Sequence, residues 1–292
     1  METMLVAQEL PGLFGIVANL FCENLHDHEL QIENNQIVNE ELNFSNWNKS
    51  PEKRTDMCRS VPKRYKQSVC ITLRGKNDEV SKELRGWMQN HYVDYELLLG
   101  CSTISPAWMK WALSFPKLTR LSILKKSEDA ALEFYKALVE RGRLRSLDIY
   151  YDVSLHSKEM DVIEIALCQK QFKRLILQNC EALEELLSIW EENREKMIRK
   201  EIFFFDCGVV AKDLKGDLEL CSQEQCDYIK KEHIDLYQLQ LCIPSEAYKI
   251  KSELIADDKH NIYVLFDCFQ KGEEVAEFDF FTETDQIVVL FS

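Results

Sequence analysis

FKRLILQNC, residues 172 to 180, sets Phe172, Leu175 and Leu177 at apolar-x-x-Leu-x-Leu spacing and closes on Asn179-Cys180. Such alternation is what a β-strand with one buried face requires, because side chains two apart share a face. Related segments are LTRLSIL (118–124), LRSLDIYY (144–151) and LYQLQLC (236–242). With Leu97, Leu121, Leu147, Leu175, Ile202, Leu239 and Val264 as markers, the steps are 24, 26, 28, 27, 37 and 25 residues. A unit returning at this period cannot bury its apolar face alone, so stacked copies complete one another's core. The long step predicts an insertion between Cys207 and Ile234, around VVAKDLKGDLEL. VCITL (69–73) reads as an earlier strand and IVVLF (287–291) as a final one.

Segments of helical spacing lie between these strands. Ser105-Pro106 opens AWMKWALSF, with Ser105 as cap and Pro106 at the first helical position. Ser127 precedes Glu128 and Asp129, acids suited to a helix N-terminus, and Gly142 supplies a stop. In that segment Leu132, Tyr135 and Leu138 share a face. SKEMDVIEIALCQ and EALEELLSIWEENREKMIRK read similarly. Strand, turn and helix in alternation predict an α/β fold, a right-handed βα solenoid with a parallel inner sheet. Asn179-Cys180, Asp206-Cys207 and Asp267-Cys268 recur after strands, where a polar side chain bonds the turning backbone and cysteine fits the tight interior.

Residues 1–66 do not join the period. Leu10–Leu25 reads as an amphipathic helix opening at Pro11, followed by amide-rich ENNQIVNEELNFSNWNKS and a basic stretch with eight Lys/Arg from Lys53 to Lys76. The expected division is therefore a helical segment with a basic connector over 1–66 and the solenoid over 67–292. Val275–Phe291 reads as a hairpin turning at TETD (282–285).

The chain has 292 residues, 46% hydrophobic and 29% charged, the balance of a globular protein. A net charge of -14 argues against general nucleic-acid binding, which needs a positive face. The eleven cysteines are odd in number and embedded in apolar runs, as expected of reduced thiols in a cytoplasmic or nuclear protein. Leu10–Phe21 lacks the basic flank of a secretory leader, and no apolar run is long enough to span a bilayer.

Catalytic signatures are missing. Arg74-Gly75-Lys76 has none of the further glycines of a phosphate loop, and no nucleophile elbow or HExxH occurs. Cys221, Cys226, Cys242 and His233 are too loosely spaced for zinc, and packed thiols account for them. His26 and His28 alternate with acids and are expected in solvent. Glu184, Glu185, Glu191 and Glu192 form an acidic helix face. The expectation is a binding protein, not an enzyme, without metal or cofactor.

From Leu97 to Cys268 the chain resembles cysteine-containing leucine-rich-repeat proteins in a divergent form. ELPGLFGIVANLFCENL (9–25) resembles the start of an F-box, with Leu10, Pro11, Phe14, Val17 and Leu20 at the positions that dock on an adaptor such as Skp1. ENNQIVNEELNFSNW keeps Trp47 of the second F-box helix but not its leucines. An elongin-binding box is matched at Cys22, with Ala18 where leucine is expected. Taken together, the chain is similar to the nematode families of F-box and leucine-rich-repeat proteins. That resemblance implies a substrate-recognition subunit of a cullin-type ubiquitin ligase, with a Skp1-like or elongin C-like adaptor. The alternative is a stand-alone binding or inhibitor module whose N-terminal helix caps the solenoid.

Residues beside the core leucines point outward from such a strand and align from repeat to repeat. They are Arg120 and Ser122, then Asp148 and Tyr150, then Arg174, Ile176 and Gln178, and finally Gln238 and Gln240. This mixed row is the expected surface for a protein partner.

Overall fold

Along β5 (Asp94–Leu99), Tyr95, Leu97 and Leu99 are buried while Asp94, Glu96 and Leu98 are half-exposed. One face of the strand thus enters a core and the other does not, as its alternation requires. The computed structural model describes residues 26–44, 52–53, 66–87, 93–126, 128–151, 153, 157–178, 182–210, 218–232, 246–250, 261–267 and 283–292. The fold class is α/β, and the chain divides into two units, Met1–Phe134 and Tyr135–Ser292.

In the first unit the strand order is β6 (Leu118–Ile123), β5, β4 (Lys66–Arg74), β1 (His26–Glu33), β2 (Gln36–Phe44) and β3 (Glu52–Lys53). Strands β1, β4, β5 and β6 are parallel, and β2 and β3 add antiparallel. Register sets Leu30, Ile71, Leu97 and Leu121 in one ladder across four strands, and all four are buried. After α1 (Lys82–Trp87), α2 (Pro106–Leu113) starts as its sequence predicts. Ser105 Oγ accepts from Trp108 N–H at 3.4 Å, with Pro106 in the first turn. Trp108 and Trp111 turn inward, and the Phe115 ring lies 5.1 Å from that of Tyr95, so this helix lies over the apolar face of β5.

The amide-rich stretch that follows the expected N-terminal helix takes part in a β-hairpin. Asn34 and Asn35 have φ of 50° and 67°, the positive values that a two-residue type I′ turn demands and that asparagine tolerates. His28, expected in solvent, is buried on β1 with Nε2 at 3.0 Å from Glu40 Oε1. It shares the face of Leu30 and Ile32, which the strand period dictates and a helix end would not.

The boundary between the units falls within α3 (Asp129–Glu140). Gly142 follows it at φ 65°, the left-handed stop expected there. The second unit orders its strands β7 (Ser146–Ile149), β8 (Arg174–Leu177), β9 (Glu201–Val210), β13 (Glu283–Phe291), β12 (Ile262–Asp267), β11 (Glu246–Ile250) and β10 (Leu218–Leu220). Leu147, Leu175 and Ile202 are register partners in the parallel β7, β8 and β9, all buried.

Beyond β9 the pattern changes. Strands β13, β12, β11 and β10 pair antiparallel, so the parallel sheet expected as far as Val264 ends at β9 in this unit. Val264 keeps its inward place, opposite Val289. Apolar alternation is the same for either strand direction, so period alone did not separate them. Glu283, Thr284 and Asp285, expected in a turn, begin β13 instead.

Helices α4 (Lys158–Leu167) and α5 (Leu183–Met197) pack together, and Trp190 of α5 stacks on Phe291 of β13 at 6.2 Å. On the other face of β8, β9, β12 and β13 lies α6 (Gln223–Glu232). Its Ile229 closes a second core with Ile176, Phe203, Tyr263, Leu265, Val288 and Leu290.

Candidate functional site

The face of the first unit's sheet opposite the leucine ladder carries polar side chains in rows. Glu29, Cys70, Glu96 and Arg120 are successive register partners on β1, β4, β5 and β6. Gln31, Thr72, Leu98 and Ser122 form the next row, and Asp27, Ser68 and Asp94 the one before. Arg120 Nη1 lies 3.7 Å from Glu96 Oε2, and Ser68 Oγ donates to Asp27 Oδ1 at 2.6 Å. Lys117 Nζ stands 3.6 Å from Asp94 Oδ1. Acids outnumber bases in these rows, so the face carries negative charge. Burial first, then Glu96 and Glu29, pushes the Cys70 thiol up to about 12, while Arg120 acts in the opposite direction. A thiol held largely in its neutral form is a weak nucleophile.

In the second unit the row Ser146, Arg174, Glu201 crosses β7, β8 and β9. Arg174 Nη2 donates to Glu201 Oε2 at 2.8 Å, and its guanidinium lies over the Phe203 ring at 5.2 Å. Ser146 Oγ donates to Asp148 Oδ1 at 2.7 Å.

The residues expected to meet a partner therefore separate. Arg120, Tyr150, Arg174 and Gln178 keep partial exposure, with Tyr150 the most open at 37%. Three expectations are corrected. Ser122 is 1% exposed, a short side chain level with Leu98 on the adjoining strand. Asp148 is 0% exposed and bonded to Ser146. Ile176 lies in the core that α6 closes, because apolar residues on both faces of β8 draw cover to both. Gln238 and Gln240, and the adaptor positions Leu10, Pro11, Phe14, Val17 and Leu20, lie outside the described residues.

Sequence reasoning missed Glu29, Cys70 and Glu96. For Cys70 and Glu96 the signal was present in the alternation of VCITL and DYELLL, whose outward positions the row of expected contacts omitted. It also missed Lys200, which is buried with its ammonium donating to Gln169 O at 2.5 Å and to Phe172 O. Burial lowers its pKa to about 8, with Cys168 nearby pulling it up. These carbonyls lie in the turn between α4 and β8, so the lysine ties the two ends of that turn together.

Among the described residues, no group of three or more His, Cys, Asp or Glu is placed to hold a metal ion, and no helix is long and apolar enough to cross a membrane. The rows set charged and polar side chains at fixed spacing on a hydrogen-bonded sheet. No family model matches the chain, and neither a curated protein nor a solved structure matches it.

Proposed function

We propose that this chain is a protein-interaction module, a leucine-rich-repeat-like βα solenoid that receives the substrate of a cullin-type ubiquitin ligase. The observation that carries the binding role is the in-register row Glu29, Cys70, Glu96, Arg120, a polar surface backed by the ladder Leu30, Ile71, Leu97, Leu121. Side chains on a packed sheet lose little further freedom on binding, which favours affinity from charge and shape. The acidic balance of the rows fits a partner segment bearing Lys or Arg. The parallel register in both units supports the solenoid reading. The ligase link rests on the F-box-like sequence of residues 9–25.

One observation favours the second reading, a stand-alone binding or inhibitor protein. Residues Gln36–Phe44, which fall where the F-box comparison expects its second helix, form β2 and join the sheet. Affinity capture decides between the two. The full chain should retain Skp1, elongin C or a cullin from cell extract, and Phe14→Asp with Val17→Asp should abolish this while leaving the unfolding transition in place. Absence of all three from the wild-type capture, with another protein retained, selects the stand-alone module.

A further inference from the structure

Two cysteines frame the entry to α6. Gln225 N–H donates to Ser222 Oγ at 3.3 Å, and Ser222 N–H donates back to Gln225 Oε1 at 2.8 Å. This reciprocal pair makes Ser222 the N-cap and Gln225 the third helical residue. Cys221 then occupies the position before the cap and Cys226 the fourth helical position. Those are the two places whose side chains pack on each other across the start of a capped helix. Cys221 is also tied to β11, its N–H donating to Ala247 O at 3.0 Å, and it packs against the core that Ile229 closes. Both cysteines are half-buried, so an oxidant reaches them.

We propose that Cys221 and Cys226 are a redox-sensitive pair that closes to an intrachain disulfide on meeting glutathione disulfide. The capped entry sets Cys221 and Cys226 on the side of the helix start that faces the Ile229 core, the placement from which a disulfide can close. Burial, then the neighbouring Cys226, pushes the Cys221 thiol up to about 11. One of the two thiols, on giving up its proton, attacks one sulfur of glutathione disulfide, forming a mixed disulfide and releasing a glutathione thiolate. The other then gives up its proton and attacks the protein sulfur of that mixed disulfide, forming the Cys221–Cys226 bond and expelling the second glutathione. Two protein thiols are oxidised, one glutathione disulfide is reduced to two thiols, and the two protons end on the two glutathiones.

The bond would hold α6 in place. Ile229 is the buried residue of α6 that anchors it to the sheet; the Tyr228 ring lies 6.3 Å from that of Tyr263, its hydroxyl 3.2 Å from Ser292 Oγ, and Glu232 Oε2 3.4 Å from Arg199 Nη2. A covalent clip at its first turn restrains that helix over Ile176, Phe203 and Leu290.

The test treats the folded chain with glutathione disulfide, quenches with acid, and maps thiols by alkylation and peptide mass spectrometry. Cys221 and Cys226 should lose alkylation together, in a linked peptide about 2 Da lighter that dithiothreitol restores. Amide exchange across residues 224–229 should slow in the oxidised protein. Cys221→Ser should leave Cys226 glutathionylated, with no intrachain link. Full alkylation of both thiols in the wild type, arrest at a mixed disulfide, or a link from either to another cysteine such as Cys242 would each overturn the proposal.

Discussion

Arg174 and Glu201 are register partners on neighbouring parallel strands, and the Nε and Nη2 of the arginine both donate to Glu201 Oε2, at 3.1 and 2.8 Å. Glu201 is 7% exposed, and Phe203 lies under the guanidinium. An arginine that reads in sequence as an outward binding group is thus built into the sheet. Arg174→Ala should destabilise the protein by about 2 kcal/mol or more, because it takes two charge-assisted hydrogen bonds away from a nearly buried carboxylate. Urea unfolding measures this. A change under about half a kcal/mol would mean that Glu201 finds solvent without its partner.

Leu175 is fully buried between Leu147 and Ile202. Leu175→Ala should cost roughly 2–5 kcal/mol, the range for truncating a core leucine. Ile229→Ala, in the smaller core under α6, should cost less, because one wall of that core is a single helix able to settle into the space. Equal losses on chemical unfolding would show the two cores to be equally rigid.

Gly75 (φ 64°) has no room for a side chain: a Cβ there would meet Asn34 Oδ1 at 2.9 Å. Asn34 Oδ1 accepts from Lys76 N–H at 3.1 Å, and Asn77 Oδ1 accepts from Asn35 N–H at 2.8 Å, clamping the hairpin turn to the end of β4. Gly75→Ala should therefore lower stability by about 1 kcal/mol or more, from strain at positive φ and loss of the clamp. Faster amide exchange of Asn35 and Glu79 is the local signature to seek.

Lys200 sets a pH dependence. Its pKa falls from an ordinary value near 10.5 to about 8 in the folded chain, chiefly through burial. Between those values the unfolded chain binds more protons, so stability should rise with pH from about 8 to 10.5 and be unaffected by this lysine below pH 8. Urea titrations of wild type and Lys200→Met across pH 7–10.5 isolate the effect, since only the wild type can gain. Parallel curves would show that its two carbonyl acceptors hold the ammonium charged throughout.

Tyr150 is the most open residue of the expected binding row. Tyr150→Ala should leave stability within about half a kcal/mol of wild type and weaken a captured partner by about 1 kcal/mol or more. Glu133→Ala, exposed on α3, should change neither. Isothermal titration with the partner identified by capture compares them, and unchanged affinity in Tyr150→Ala removes that residue from the surface.

Local rules carried the sequence reading a long way. Side-chain period two, the Ser105-Pro106 cap and the Gly142 stop depend on the chain's nearest neighbours, so β5 to β9 and the helices between them were legible from residues alone. The burial of Leu121, of Leu147 and of Leu175 follows from the same alternation. Strand direction, cover and pairing depend on contacts far apart in the chain, and these only the tertiary structure decided. The polar segment 26–44 became a hairpin because β1 found β4 to pair with, burying His28. Strands β10 to β13 turned antiparallel though their apolar pattern matches that of the parallel ones. Ile176 left the expected binding row because α6, 47 residues or more further along, supplied an apolar partner for the second face of its sheet. Alternation states which residues of a strand share a face; whether that face meets water, a helix or a partner is set by what the rest of the chain brings to it.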